Sequence, residues 1–341
     1  MSGPPSSVLR RRRGLAMAGV SAAMFGSTPV LGKLALDAGL PPLAVVTIRT
    51  AVAAILLLVV LLPRRSLLSI FPLGLVGCLV AGALNGIGSL FFYAGLHRVE
   101  AGVGQMLFGL YPVWVALLLF LDGQRPSRLS IAAIGLSLPA VVLITSARWQ
   151  QVDPIGTGLM LLAGLLYGLH IPINERVLYE VPPPTVAFYT LAAMTLVVSP
   201  AFLLAPGKPE AIGREAWAAV LGLAAVTFLA RLALFSGVKF IGGLQSTLLG
   251  VAEVLVAVAL SHVILGESLT VAQTVGGVLL VAALLLSGID RSPYRRARVR
   301  GWLYWLRPPV PVGMLSILET QPIPRPLQTS IRAEDSTSEA G

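Results

Sequence analysis

Residues 14–42 read GLAMAGVSAAMFGSTPVLGKLALDAGLPP, and about 142 positions further on residues 156–184 read GTGLMLLAGLLYGLHIPINERVLYEVPPP. The two stretches superpose Gly14 on Gly156, Phe25-Gly26 on Tyr167-Gly168 and Pro41-Pro42 on Pro183-Pro184. The same offset carries Tyr93 and Gly95 onto Phe235 and Gly237, and Gly135 onto Gly277. Each copy holds five long apolar runs. An odd number of membrane crossings per copy turns the second copy upside down relative to the first, the architecture of many secondary transporters.

Composition agrees. The chain is 56% hydrophobic and 12% charged with a mean hydropathy of +0.85, whereas soluble domains carry about 25% charged residues. Apolar stretches near the roughly 20 residues that cross a bilayer as a helix occur at 14–37, 41–62, 71–96, 102–121, 129–146, 156–178, 185–205, 216–240, 243–265 and 271–289. They lack the alternation of an outer-membrane barrel. The expected fold is an all-α polytopic membrane protein of ten transmembrane helices in two inverted five-helix repeats.

The net charge of +10 sits in places that argue against a nucleic-acid partner. Arg10 to Arg13 precede helix one, Arg64-Arg65 follow helix two, Arg125 and Arg128 follow helix four, and Arg291, Arg295, Arg296, Arg298 and Arg300 follow helix ten. Positive residues gather on the cytoplasmic side of short loops, so both termini are expected in the cytoplasm, with the slightly acidic Glu175–Glu180 stretch a poor fit. Arginines before an apolar run also resemble a signal peptide. Helix one is longer than such a segment and has a partner in helix six, so it is expected to stay. The divisions that follow are a basic N-terminus at 1–13, a first repeat at 14–146, a second at 156–289 and a cytoplasmic tail at 290–341. In the tail, 291–307 with Trp302, Tyr304 and Trp305 is expected on the inner membrane surface and 308–341 disordered.

Polar residues inside membrane helices face a bundle interior or an aqueous cavity. In helix three Asn85, Ser89 and Tyr93 share one face, and the equivalent positions in helix eight are Thr227, Arg231 and Phe235. Arg231 and Glu253 of helix nine both lie roughly 14–15 Å deep at about 1.5 Å per residue. A pair between them is readable as a static salt bridge, a proton-coupling site or a latch exchanged with substrate. Arg49 lies about 12 Å below the end of helix two; it suits a carboxylate or phosphate, or equally a structural tie to backbone carbonyls or Glu253. Its counterpart is Leu191. Lys33 is a weaker candidate, able to snorkel. Helix six offers His170 and Asn174, and imidazole titrates near neutrality, although a lone histidine is more often a packing residue. Pro29, Pro112 and Pro172 mark expected helix breaks, and paired broken helices point to a binding site. Cys78 excludes an intrachain disulfide and reads as a small buried apolar residue.

Soluble-enzyme motifs such as GxxxxGK[ST] and HExxH are absent, so the chain reads as a non-enzyme without cofactor or metal. At Gly250-Val-Ala-Glu253 through Leu265-Gly266-Glu267, Gln273 and Gly276-Gly277 the chain resembles the EamA family of the drug/metabolite transporter superfamily. Phe25-Gly26 through Lys33 and Arg49 share the resemblance. Val254 stands where the family has proline; Tyr111-Pro112 keeps the proline without the acid, and Asp122-Gly123-Gln124 replaces Leu-Gly-Glu. The resemblance implies export of amino acids, other small metabolites or drugs through a cavity between the repeats.

The expected function is therefore a secondary active transporter of the cytoplasmic membrane, exporting or exchanging a small polar metabolite or amino acid by alternating access. Alternatives are a multidrug exporter, a proton-coupled importer, an intramembrane enzyme or a non-transporting receptor. Helices one, three, four, six, eight and nine are expected to line the cavity, with Arg231, Glu253, Asn85, Tyr111, His170 and Asn174, while helices five and ten are peripheral. Expected partners are the small-molecule substrate, membrane lipids and protons as a candidate coupling ion. A homodimer is compatible with this reading.

Overall fold

A computed structural model of the chain describes residues 5–111, 113–114, 117–118, 127–146, 153–178, 180–205, 213–241 and 243–289. The tail from 290 onward, Pro112 and the Asp122-Gly123-Gln124 stretch lie outside the described residues. The helices are α1 (Pro5–Asp37), α2 (Pro42–Leu61), α3 (Pro72–Leu96), α4 (Ala101–Phe108), α5 (Arg128–Ser146), α6 (Pro154–Leu178), α7 (Pro183–Leu204), α8 (Arg214–Ile241), α9 (Gly243–Leu265) and α10 (Val271–Ile289). No strand occurs among the described residues.

Proline sets the helix starts. Pro42, Pro72 and Pro183 open α2, α3 and α7, where the missing N–H removes a donor that has no intrahelical partner anyway. Glycine sets one stop. Gly39 at φ +90° follows α1, with Leu40 N–H bonded to Ala35 O at 3.1 Å and Gly39 N–H to Leu36 O at 3.0 Å, a Schellman closure.

Two helices depart from expectation. α1 begins at Pro5 rather than near residue 14, since the stretch up to Arg13 holds good helix formers and no internal breaker. Helix four, expected unbroken over 102–121, is interrupted after Phe108 by a turn at Gly109 and Leu110, and residues 111, 113–114 and 117–118 are helical again. Proline at 112 has no N–H to return to Phe108 O. Conversely, α1 and α6 stay helical through Pro29 and Pro172, so those two prolines free the carbonyls of Phe25 and Gly168 without interrupting the helices.

Packing follows a twofold pattern. α1 packs on α8 as α3 packs on α6, α1 on α9 as α4 on α6, and α3 on α7 as α2 on α8; α2 meets α7 and α5 meets α10. Exchanging the two repeats maps every one of these pairs onto another or onto itself. Close approach is made at glycines. A Cβ at Gly26 would lie 2.9 Å from Glu253 O, one at Gly82 2.6 Å from Thr190 O, and one at Gly276 2.9 Å from Ala140 O.

The burial pattern is that of a membrane protein. Arg49, Asn85, Gln105, His170, Arg231 and Glu253 are buried, while Leu73, Leu138, Leu204 and Val271 are exposed. Polar inside and apolar outside is what hydrocarbon selects. Among the described residues five helical segments, Pro42–Leu68, Pro72–Leu96, Pro154–Leu178, Pro183–Leu204 and Arg214–Ser236, are long and apolar enough to cross a bilayer by themselves.

Candidate functional site

Where the two repeats meet, buried polar residues line a cavity of about 50 Å³. That volume admits a few waters, each needing roughly 10–15 Å³. Its wall is built from both copies: Phe25 and Thr28 of α1, Arg49 of α2, Asn85, Ser89, Phe92 and Tyr93 of α3, Gln105 and Phe108 of α4, Tyr167 of α6, Arg231 of α8 and Glu253 of α9. Among the described residues no lining residue comes from α5, α7 or α10. The six expected helices all contribute, and α2 joins them through Arg49.

The polar stripe of α3 holds the two arginines. Arg49 Nη2 donates to Ser89 Oγ at 3.1 Å, and its guanidinium lies 5.0 Å from the centre of the Tyr93 ring, a cation–π contact. Arg231 donates to the Asn85 amide oxygen, in the amide orientation that gives both groups a partner. Its Nη1 donates to His170 Nε2 at 3.1 Å and its Nη2 to Met194 Sδ at 3.5 Å. The rings of Phe235 and Phe25 lie 5.9 and 6.0 Å away.

The hydrogen bonds define the histidine. His170 Nδ1 is 2.9 Å from the carbonyl oxygen of Tyr167, which only accepts, so Nδ1 carries the proton. Nε2 then offers its lone pair to Arg231. His170 is the neutral tautomer and supports the arginine from behind the wall.

The expected ion pair is not made. Among the described residues Arg231 and Glu253 do not approach to salt-bridge distance; the ion pairs that occur include Arg98–Asp153 and Arg176–Glu180, at 2.6 and 3.0 Å. The Nη atoms of Arg231 bond Asn85, His170 and Met194 instead, and Glu253, 3% exposed, shares the cavity with it.

Arg231, Glu253, Arg49, Asn85 and Ser89 thus converge on one cavity, whereas Tyr111, His170 and Asn174 are not on its lining. The Tyr111 ring stands 5.0 Å from that of Tyr167 and 6.2 Å from that of Phe108. Asn174 Oδ1 accepts from Thr190 Oγ1 at 3.1 Å, joining α6 to α7. Thr227, counterpart of Asn85, turns onto its own helix at Leu223 O, 2.7 Å away. Gln105 escaped the sequence reading, although an amide inside an apolar run is the signal that singled out Asn85. Phe92 and Phe108 escaped it too; with Tyr167 they succeed one another with centroids 5.0 Å apart.

Polar contacts at one end of the bundle hold the α3–α4 connection. Lys33 does not snorkel; its Nζ donates to Leu96 O and Val99 O at 3.0 and 3.1 Å, capping α3. Glu267 accepts from Ala101 N–H at 2.7 Å and Gly102 N–H at 2.9 Å, at the positive start of α4. Gly266 at φ +67° turns the chain to deliver it. Asp153 pairs with Arg98 and accepts from the N–H groups of Ile155 and Gly156. The Arg98 guanidinium, and then the Gly156 N–H, holds its carboxyl below the usual aspartate value. No group of three or more His, Cys, Asp or Glu able to hold a metal occurs among the described residues.

Ten helices among the described residues, in two inverted halves around a charged central cavity, define a class: polytopic α-helical membrane proteins built by inverted duplication. The model of the EamA-like transporter family matches residues 12–146 and again 154–289. The chain belongs to that family. It is 26% identical over 197 residues to an uncharacterized transporter of Archaeoglobus fulgidus, covering 58% of this chain and 70% of the relative. It is 27% identical over 213 residues to Protein PecM of Dickeya dadantii, covering 61% and 71%. A solved crystal structure superposes with a TM-score of 0.55 at 21% identity, covering 78% of this chain and 96% of the other, a likeness of fold.

Proposed function

We propose that this protein is a secondary active transporter that moves a small polar metabolite or amino acid across the cytoplasmic membrane by alternating access, in export or exchange, with both termini cytoplasmic. The observation that carries the reading is that Arg49, Arg231 and Glu253, buried residues from both repeats, line one cavity between them. Charges in a membrane interior are costly, at least about 2.5 kcal/mol for a single arginine on insertion scales, and such groups mark substrate and ion pathways. A cavity of about 50 Å³ is too small for a metabolite to pass. Transport therefore requires the two halves to move, and the twofold pairing of their helices supplies two equivalent arrangements.

The experiment is flux into liposomes. Purified full-length protein is screened with labelled amino acids and metabolites under an imposed pH gradient. Movement of a defined solute class above that in empty vesicles supports the reading; no enhancement across a broad panel overturns it.

A further inference from the structure

α1 packs on α8 and α9, and α6 packs on α3 and α4, so these six helices form two groups of three, each drawn from both repeats and exchanged by the twofold. The cavity lies between the groups: Phe25, Arg231 and Glu253 line it from the first, and Asn85, Gln105 and Tyr167 from the second. A solute reaches it only where the groups part.

At one end they are fastened together. Lys33 of α1 donates across to Leu96 O and Val99 O, past the end of α3. Glu267, just beyond α9, accepts from the N–H groups of Ala101 and Gly102 at the start of α4. Both are charge-assisted bonds between the groups, and the carboxylate also meets the positive end of a helix. Glycine brings the surfaces into contact beside each bond. A Cβ on Gly32 would lie 2.5 Å from Tyr93 Cε1, and one on Gly102 2.8 Å from Ser261 Oγ, the close approach that small residues permit.

The sequence does not repeat this fastening at the twofold-related end. At the offset of 142, Gly32 and Lys33 fall on Asn174 and Glu175, Gly102 falls on Leu244, and Glu267 falls on Arg125 with Gln124 beside it. An ionised carboxylate has no proton for a carbonyl, and a guanidinium accepts nothing from an N–H. Asn174 and Leu244 carry side chains where the first end has none. All four elements are thus particular to the end that holds the α3–α4 connection.

Deepening the transport reading on which it rests, we propose that Lys33 and Glu267 form a one-sided gate, which holds the cavity shut on the face carrying the α3–α4 connection. The resting population then opens towards the face from which α1 starts. A perfectly symmetric pair of halves populates its two arrangements equally, and bonds made in only one of them shift the equilibrium towards it.

The test is labelling from each face. Thr28→Cys places a thiol on the cavity wall of the full-length protein, and the chain with buried Cys78 alone supplies the background. A charged, membrane-impermeant methanethiosulfonate is applied to either face of proteoliposomes whose orientation is read from protease access to an N-terminal tag. Thr28→Cys is expected to react about tenfold faster from the face where α1 starts. Lys33→Met with Glu267→Gln is expected to raise the rate from the opposite face by about tenfold, the scale of one hydrogen bond to a charged group, without raising the other. Where the double variant does not fold, each single variant is read for a smaller shift in the same direction. Equal rates from both faces, an unmoved rate on releasing the bonds, or a rise from both faces together overturns the gate. Labelling needs no solute, so the two readings fail separately. One-sided labelling without flux keeps the gate and overturns transport, and flux with symmetric labelling keeps transport and overturns the gate.

Discussion

His170 Nε2 accepts a hydrogen bond from Arg231 Nη1 at 3.1 Å, and its other ring nitrogen is committed to the Tyr167 carbonyl. Replacing the ring by leucine strands an arginine donor in a buried site, which costs about 1–3 kcal/mol. His170→Leu is expected to lower the melting temperature and weaken transport, while His170→Gln, which keeps an acceptor in reach, restores most of both. Melting curves and initial flux rates of the two variants decide this.

Glu253 lies within one cavity with Arg49, Arg231, Tyr93 and Tyr167, and none of the others is a second carboxylate. Glu253→Gln is expected to insert normally yet lose the response of flux to an imposed pH gradient. Flux that keeps its pH dependence in the variant identifies the carboxylate as structural.

The Glu267 carboxylate receives two backbone N–H groups at the start of α4. Its removal in Glu267→Ala costs about 1–3 kcal/mol through two lost charge-assisted bonds. Hydrogen exchange of the Ala101 and Gly102 amides is expected to rise, with Glu267→Gln intermediate.

Glycines here divide into those in contact and those in open space. Gly26 has Val256 Cβ 2.7 Å and Glu253 O 2.9 Å from where a methyl group would sit, whereas Gly158 and Gly222 meet nothing within 4 Å. Gly26→Ala is expected to destabilise by about 1–3 kcal/mol through overpacking, and Gly158→Ala to be neutral or mildly stabilising. Thermal unfolding in detergent reads the contrast.

Asp153 titrates below its ordinary value of 3.8 because of Arg98 and the Gly156 N–H. A depressed folded-state value means that its contribution to stability is complete above that ordinary value and disappears as pH falls through the lowered one. Asp153→Asn is therefore expected to melt earlier than wild type at neutral pH, and the difference to close in strong acid.

Much of this molecule is legible in the chain because hydrocarbon imposes simple rules. Span positions follow from apolar length, and Asn85, Ser89, Arg231 and Glu253 were conspicuous because polar groups inside spans need a reason. Partner choice was not legible. Arg231 turns to His170 and Asn85 rather than Glu253 because side-chain reach and the crossing of α3, α6 and α8 decide it. Neither is encoded in local pattern. Lys33 and Glu267 act as caps on helices far from them in sequence, so no window of neighbouring residues reveals the role. The interruption after Phe108 was half visible, since proline at 112 announced a defect but not that the turn forms just before it.

The α3–α4 connection is gripped by a lysine on carbonyls, a glutamate on amides and an exposed arginine–aspartate pair. These three fastenings answer to different solvents. Salt screens the exposed pair within a Debye length of about 8 Å at physiological ionic strength, acid neutralises aspartate, and the lysine on its carbonyls escapes both. The same short stretch of backbone thus stays anchored through changes of medium that release any one of its moorings.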